Sequence, residues 1–190
     1  VADGSDMMGS LRNPAAWNGV FGLRPSMGRV PYGTQTGTQT GTKTHLSLTG
    51  DVFFQQLGIE GPMGCCVEDV AQLLAVQAGA DPRAPLSLHA PIDFTARLDV
   101  NLKDKRIAWL GDLNGHLAVE PALAKAYEQS LISFGKLGCR VEAAQLQIDL
   151  HAVWQAWLTL RGMTVAGNLA PLATNPRMQV LLKPEALWEY

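Results

Sequence analysis

Charge is scarce in this sequence. Charged residues make up 17% of 190 positions, and the formal net charge is −2. Such a near-neutral balance gives no electrostatic case for nucleic acid or an anionic membrane as a partner. Long apolar runs are missing too: none approaches the roughly 18 residues that a membrane span needs. No basic segment leading into an apolar one is visible, so these residues carry no recognisable secretory signal. Cysteine is rare. Cys65, Cys66 and Cys139 are the only three, they form no CxxC pattern, and their number is odd. Free thiols in a reducing compartment follow, and the cytoplasm is the expected location. No metal and no cofactor is expected.

What is present is a large apolar fraction, 47%, which can build a real core in a chain long enough for one substantial domain or two small ones. Residues 1–19 read as a Gly/Ser loop running into a short helix around Pro14–Trp17. Pro14 suits a first helical turn, where a missing N–H costs nothing. "VFGLRPSMGRVPY" reads as a short strand with an irregular return. Residues 33–44, "GTQTGTQTGTKT", are a four-residue repeat whose composition cannot build a core, so a surface loop is expected. "QLGIEGPM" is a brief apolar stretch ending in an expected Gly-Pro turn.

A helix should follow, with Val67, Val70 and Leu74 on one face, Glu68 and Asp69 in its first turn, and Gly79 as its stop. Residues 80–101 hold Pro82, Pro85 and Pro91 and read as a surface connection. "RIAWL" at 106–110 is a candidate buried strand. Glu120 and Pro121 open the clearest helix, with Leu123, Tyr127, Leu131, Phe134 and Leu137 as its apolar face and Gly138 as its stop. "CRVEAAQL" is a second strand candidate. Strand, helix and strand at this spacing form a βαβ unit, so the fold class is α/β with some parallel pairing. Residues 150–170 and the final stretch read as helical.

The chemically suggestive stretch is "DGSDMMGSLRNP", Asp3 to Pro14. It has two readings. One is a turn and helix cap, since Ser and Asp accept backbone N–H groups and Gly relaxes the chain. The other is a nucleophile loop. Ser10 follows Gly9 and precedes a short helix, and small neighbours let backbone N–H groups turn toward a substrate carbonyl. Such an oxyanion hole is worth about 3–4 kcal/mol per donor. A serine needs a base, however. No G-x-S-x-G elbow surrounds Ser10 and no S-x-x-K begins there. Asp112 with His116, or Asp149 with His151, could be invoked, but nothing places them near Ser10. Spacing alone leaves Ser10 without a partner.

"GSDMMGSLRNPAAWNGVFGLRPSMGRVP" resembles the nucleophile segment of the amidase signature family. The residues that fit are Gly4, Ser5, Asp6, Gly9, Ser10, Leu11, Arg12, Pro14, Ala15, Gly19, Gly22, Leu23, Arg24, Pro25, Ser26, Gly28 and Arg29. "GIEGPMGCCVEDVAQLLAVQAGADP" is similar to the family's next segment, and "LKDKRIAWLGD…GCRVE" to a later strand-helix-strand. The resemblance implies part of the amidase-signature fold, a mixed β-sheet core flanked by helices. It implies Ser10 as the nucleophile of a Ser-cisSer-Lys mechanism and a small-molecule amide as substrate. The backbone N–H groups of Met7, Met8, Gly9 and Ser10 would form the oxyanion hole. Asp6 and Arg12 would hold the loop as a charged pair. Desolvation would keep the family's lysine neutral and able to act as a base.

Two departures stand out. Met8 occupies a position where the family has glycine, which is unwelcome if that position needs a positive φ. The family's lysine and bridging serine lie N-terminal to the nucleophile segment and match nothing here. Ser5 is not in the bridging position, and Lys43, Lys103, Lys105, Lys125, Lys136 and Lys183 all come later, outside any matching motif.

The sequence opens "VADG" and closes "LKPEALWEY" inside a helical pattern, and the family's members are much longer. We therefore expect residues 1–190 to be a fragment of one amidase-signature domain, inactive alone. Its parts would be 1–32 (nucleophile loop and following segment), 33–50 (surface loop), 51–82 (strand-turn-helix), 83–105 (connection), 106–144 (βαβ) and 145–190 (helical). Two alternatives are the amidase component of a glutamine-dependent aminoacyl-tRNA amidotransferase and a non-catalytic α/β homologue. Met7, Met8 and Trp17 hint at an apolar acyl group, although a Trp in that place is more often core. Apolar surface left uncovered would favour association with a second copy.

Overall fold

The computed structural model describes residues 1–31, 57–82, 84, 86–89, 92–96 and 98–190. The four-residue repeat and Lys43 lie outside them. The described chain divides into two compact units, Val1–Leu98 with Thr159–Tyr190, and Asp99–Leu158.

The first unit is built on a three-stranded antiparallel sheet in the order β1-β3-β2, from β1 (Ala2–Asp6), β2 (Phe21–Gly22) and β3 (Ile59–Gly64). β1 runs in register from Ala2 opposite Met63 to Asp6 opposite Ile59. Two local expectations fail here. Residues 2–6 are a strand rather than loop, because β3 supplies a ladder that their Gly/Ser composition does not announce. Gly61 and Pro62 sit inside the central strand rather than in a turn. Pro62 is fully buried, and its carbonyl accepts the Leu23 N–H at 3.0 Å. It has no N–H to return, so the ladder with β2 stops after Gly22 opposite Met63. A Cβ on Gly61 would lie 2.2 Å from the Leu23 carbonyl oxygen, so only glycine allows this approach.

Helix α1 (Arg12–Trp17) packs on this sheet through Ala15, at 3% exposure, together with Leu11 just before it, at 0%. Trp17 points outward at 82% exposure, so it is not a core residue. Helix α2 (Val67–Gln77) buries Val70, Ala71 and Leu74, while Val67, expected on that face, is exposed. The Cys66 thiol caps its start by accepting the Asp69 N–H at 3.4 Å, with Glu68 and Asp69 in the first turn. Gly79 follows its end with a positive φ.

The second unit holds β4 (Arg106–Trp109), α3 (Pro121–Lys136) and β5 (Arg140–Ala143). β4 and β5 pair in parallel from Arg106 opposite Arg140 to Trp109 opposite Ala143. This is the expected βαβ unit. Its burial is not as expected: Ile107 and Trp109 are half-buried, and α3 has no buried residue. Leu123 and Tyr127 remain exposed, because a two-stranded sheet offers too little surface to cover a sixteen-residue helix.

Helix α4 (Leu150–Ala173) contributes residues to both units, and α5 (Pro176–Gln179) and α6 (Pro184–Glu189) follow. Of α4 only Ala173 is buried. Among the described residues no helix is long and apolar enough to cross a membrane. The class is α/β as expected, with the strands divided between an antiparallel sheet and a parallel pair.

Candidate active site

The loop between β1 and α1 is organised by one carboxylate. Asp6 ends β1 and is fully buried. Its Oδ1 accepts the Gly9 N–H at 2.8 Å and Arg12 Nη2 at 3.1 Å. Its Oδ2 accepts Arg12 Nε at 2.8 Å and the Arg12 N–H at 3.3 Å. This two-pronged pairing uses the planar fork of the guanidinium. Arg24 adds a third cationic contact, with Nε 3.6 Å from Oδ1 and 3.3 Å from the Asp6 carbonyl oxygen. Its Nη2 donates to the Leu57 carbonyl at 3.1 Å, tying β3's approach to the same loop. The Arg12 side chain, together with the two N–H groups, outweighs burial and holds the Asp6 carboxyl far below the usual carboxylate range.

Of the four backbone donors expected for an oxyanion hole, one is engaged within the loop itself. The Gly9 N–H donates to Asp6 Oδ1. The N–H groups of Met7, Met8 and Ser10 have no acceptor among the described residues. The backbone also resolves the question raised by Met8. The residue with a positive φ is Gly9, at +105°, and Met8 is not among the residues with one. A Cβ on Gly9 would meet the Asn13 side chain at 2.8–3.0 Å, so glycine is required there both by torsion and by space.

Ser10 is exposed at the start of α1. Its hydroxyl makes no hydrogen bond to a described residue. Lys183 precedes α6, and no hydrogen bond or ion pair joins a lysine to Ser10 among the described residues. The two carboxylates that neighbour histidines in sequence are used locally: Asp112 accepts the Gly115 N–H at 3.0 Å and Asp149 the Ala152 N–H at 3.1 Å. His116 bonds the Leu113 carbonyl within its own turn. The described residues contain no group of three or more metal-ligating side chains, and all three cysteines are free.

Two participants escape sequence reading. Arg24 fits the motif, yet its reach to Asp6 depends on β2 pairing with β3. Arg161 of α4 places Nε 2.7 Å from Met8 Sδ, across 153 positions of sequence. No local pattern could signal that contact.

A strand-to-helix loop, pinned by a buried carboxylate and presenting an exposed serine beside N–H groups without an acceptor among the described residues, defines a candidate acyl-transfer site on an α/β scaffold. The family model described as Amidase matches residues 1–183, and the chain belongs to the amidase family. It is 35% identical over 147 residues to a glutamyl-tRNA(Gln) amidotransferase component of Thioalkalivibrio sulfidiphilus (strain HL-EbGR7), covering 76% of this chain and 27% of that protein. It is 31% identical over 161 residues to the indoleacetamide hydrolase of Bradyrhizobium diazoefficiens (strain JCM 10833 / BCRC 13528 / IAM 13628 / NBRC 14792 / USDA 110), covering 83% and 27%. The chain thus spans about a quarter of the length of these relatives.

Among solved structures, the peptide amidase of Stenotrophomonas maltophilia superposes with a TM-score of 0.69 at 28% identity, over 99% of this chain and 40% of that one. A bacterial aryl acylamidase of the amidase signature family shares the fold with a TM-score of 0.79 at 24% identity, over 99% and 37%.

Proposed function

We propose that the protein works as a serine amidase on a small-molecule carboxamide. Ser10 Oγ attacks the amide carbonyl carbon and forms a tetrahedral intermediate whose oxyanion is met by the N–H groups of Met7, Met8 and Ser10. The C–N bond then breaks, the proton from Oγ leaves on the nitrogen as ammonia or amine, and an ester to Ser10 remains. Water cleaves that ester, releasing the acid and restoring the hydroxyl. Asp6 and Arg12 keep the loop in shape and touch no reacting atom. The observation that carries this reading is the exposed Ser10 hydroxyl beside three backbone donors that have no acceptor among the described residues, on a loop locked by the Asp6–Arg12 pair.

The base belongs to the lysine and bridging serine that the resemblance implies and that match nothing in residues 1–190. The isolated chain should therefore react slowly. A second reading is favoured by the similarity to a glutamyl-tRNA(Gln) amidotransferase component. In that case the ammonia released would pass to a partner rather than to solvent. The odd number of free thiols supports the cytoplasm, and the near-neutral charge argues against a nucleic-acid partner. Association with a second copy stays part of this reading.

The test is intact mass after exposure to a fluorophosphonate, which labels activated serines. The full-length gene product should gain one adduct at Ser10, Ser10→Ala should gain none, and the 20.4 kDa chain alone should label slowly. A full-length protein that stays unlabelled while folded would overturn the amidase reading. A 20.4 kDa chain that labels as fast as the full-length product would overturn the missing base.

A further inference from the structure

Arg161 lies on α4, far from the nucleophile segment in sequence, yet its guanidinium reaches two groups in the first unit. Nε stands 2.7 Å from Met8 Sδ, and Nη2 is ion-paired with Glu189 Oε1 near the end of α6. The pair is largely shielded from water, with Arg161 and Glu189 side chains at 21% and 19% exposure. That separates it from the ordinary surface pairs Arg106–Glu142 and Arg140–Asp104, whose side chains are all more than 60% exposed. A shielded pair is less screened and holds its geometry better than an exposed one.

Met8 gives this clamp its handle. A glycine at position 8 would present no side chain for Arg161 to touch. With methionine, a polarizable sulfur extends from the backbone that carries the Met7 and Met8 N–H groups, which have no acceptor among the described residues. From this geometry we propose that Arg161, oriented by Glu189, is a positioning residue that fixes the nucleophile loop through Met8. It acts on the aim of the Met7 and Met8 N–H groups and touches no substrate. The inference rests on the amidase reading for its catalytic consequence, but the mechanical clamp stands apart from it.

Two measurements separate the two. Amide hydrogen exchange in the 190-residue chain reads the loop directly at Gly9, Arg12 and Asn13, whose N–H groups are bonded within it. Arg161→Met should speed their exchange by on the order of tenfold. Met8→Gly should do the same, and Arg161→Met should add nothing in the Met8→Gly background, since the contact is already gone. In the full-length gene product, fluorophosphonate labelling of Ser10 should show kinact lowered about tenfold by Arg161→Met with KI little changed. Arg161→Lys should recover part of the loss, because an ammonium can pair with Glu189 but cannot bridge both groups.

Unchanged exchange in Arg161→Met overturns the clamp. Independent, multiplying effects of the two substitutions overturn the route through Met8. Faster exchange with unaltered kinact overturns the positioning role. If wild-type Ser10 does not label at all, the amidase reading fails, and exchange alone decides whether the clamp exists.

Discussion

Replacing Asp6 with asparagine should loosen the candidate site and the first unit together. The carboxylate accepts four hydrogen bonds, at 2.8, 3.3, 2.8 and 3.1 Å, from a position with no exposed surface. Asparagine keeps one acceptor and turns an NH2 group toward cationic donors. Removing one partner of a buried pair costs about 3–5 kcal/mol. The Arg12 side chain is 56% exposed and can rehydrate, which lowers the expected loss to about 2–3 kcal/mol. In a chain of this size each kcal/mol moves the midpoint by about 2–4 °C, so Tm should fall by about 4–12 °C. Thermal unfolding followed by circular dichroism measures this.

Acid adds a second readout. The Asp6 carboxyl titrates below its unfolded range, chiefly because of Arg12. Its contribution is therefore complete above about pH 4 and is lost as pH falls toward the folded value. The gap in Tm between wild type and Asp6→Asn should be constant near neutrality and should shrink below about pH 4. A fall in Tm of less than about 2 °C, or a gap that does not narrow in acid, would refute the reasoning.

Gly9→Ala combines a positive φ of +105° with a Cβ 2.8–3.0 Å from Asn13; it should cost about 1–3 kcal/mol and slow Ser10 labelling, read from the same melts and mass spectra. Leu11→Ala removes the fully buried side chain just before α1 and should cost about 2–4 kcal/mol in Tm-derived stability.

Helices were legible because their signals are local. Gly79 follows α2 and Gly138 follows α3, both at positive φ, and Pro121 opens α3. Those features depend on neighbours within one or two turns. The βαβ unit was legible for the same reason, as two short apolar runs flanking a periodic helix. The motif around Ser10 also named the loop, its candidate nucleophile and the Asp6–Arg12 pair without any structure.

Pairing in the antiparallel sheet was not legible. Residues 2–6 become a strand only because Ile59–Gly64 lies alongside, and Gly61–Pro62 reads as a turn until a neighbour on each side makes it a central strand. Burial was equally hidden: a periodic apolar face such as that of α3 says which side could be covered, not whether anything covers it.

The sequence by itself determined the fold class, the family and the approximate positions of the longer helices, and it marked Ser10 as the residue to test. Tertiary structure decided which backbone donor of the loop is engaged. It gave the Gly9 N–H to Asp6, put the positive φ on Gly9 rather than Met8, and brought Arg161 to Met8. The physical reason is range. A torsional preference or a helical period is written within a few residues, whereas a hydrogen-bond partner or a side-chain contact across 153 positions exists only after the chain has closed on itself.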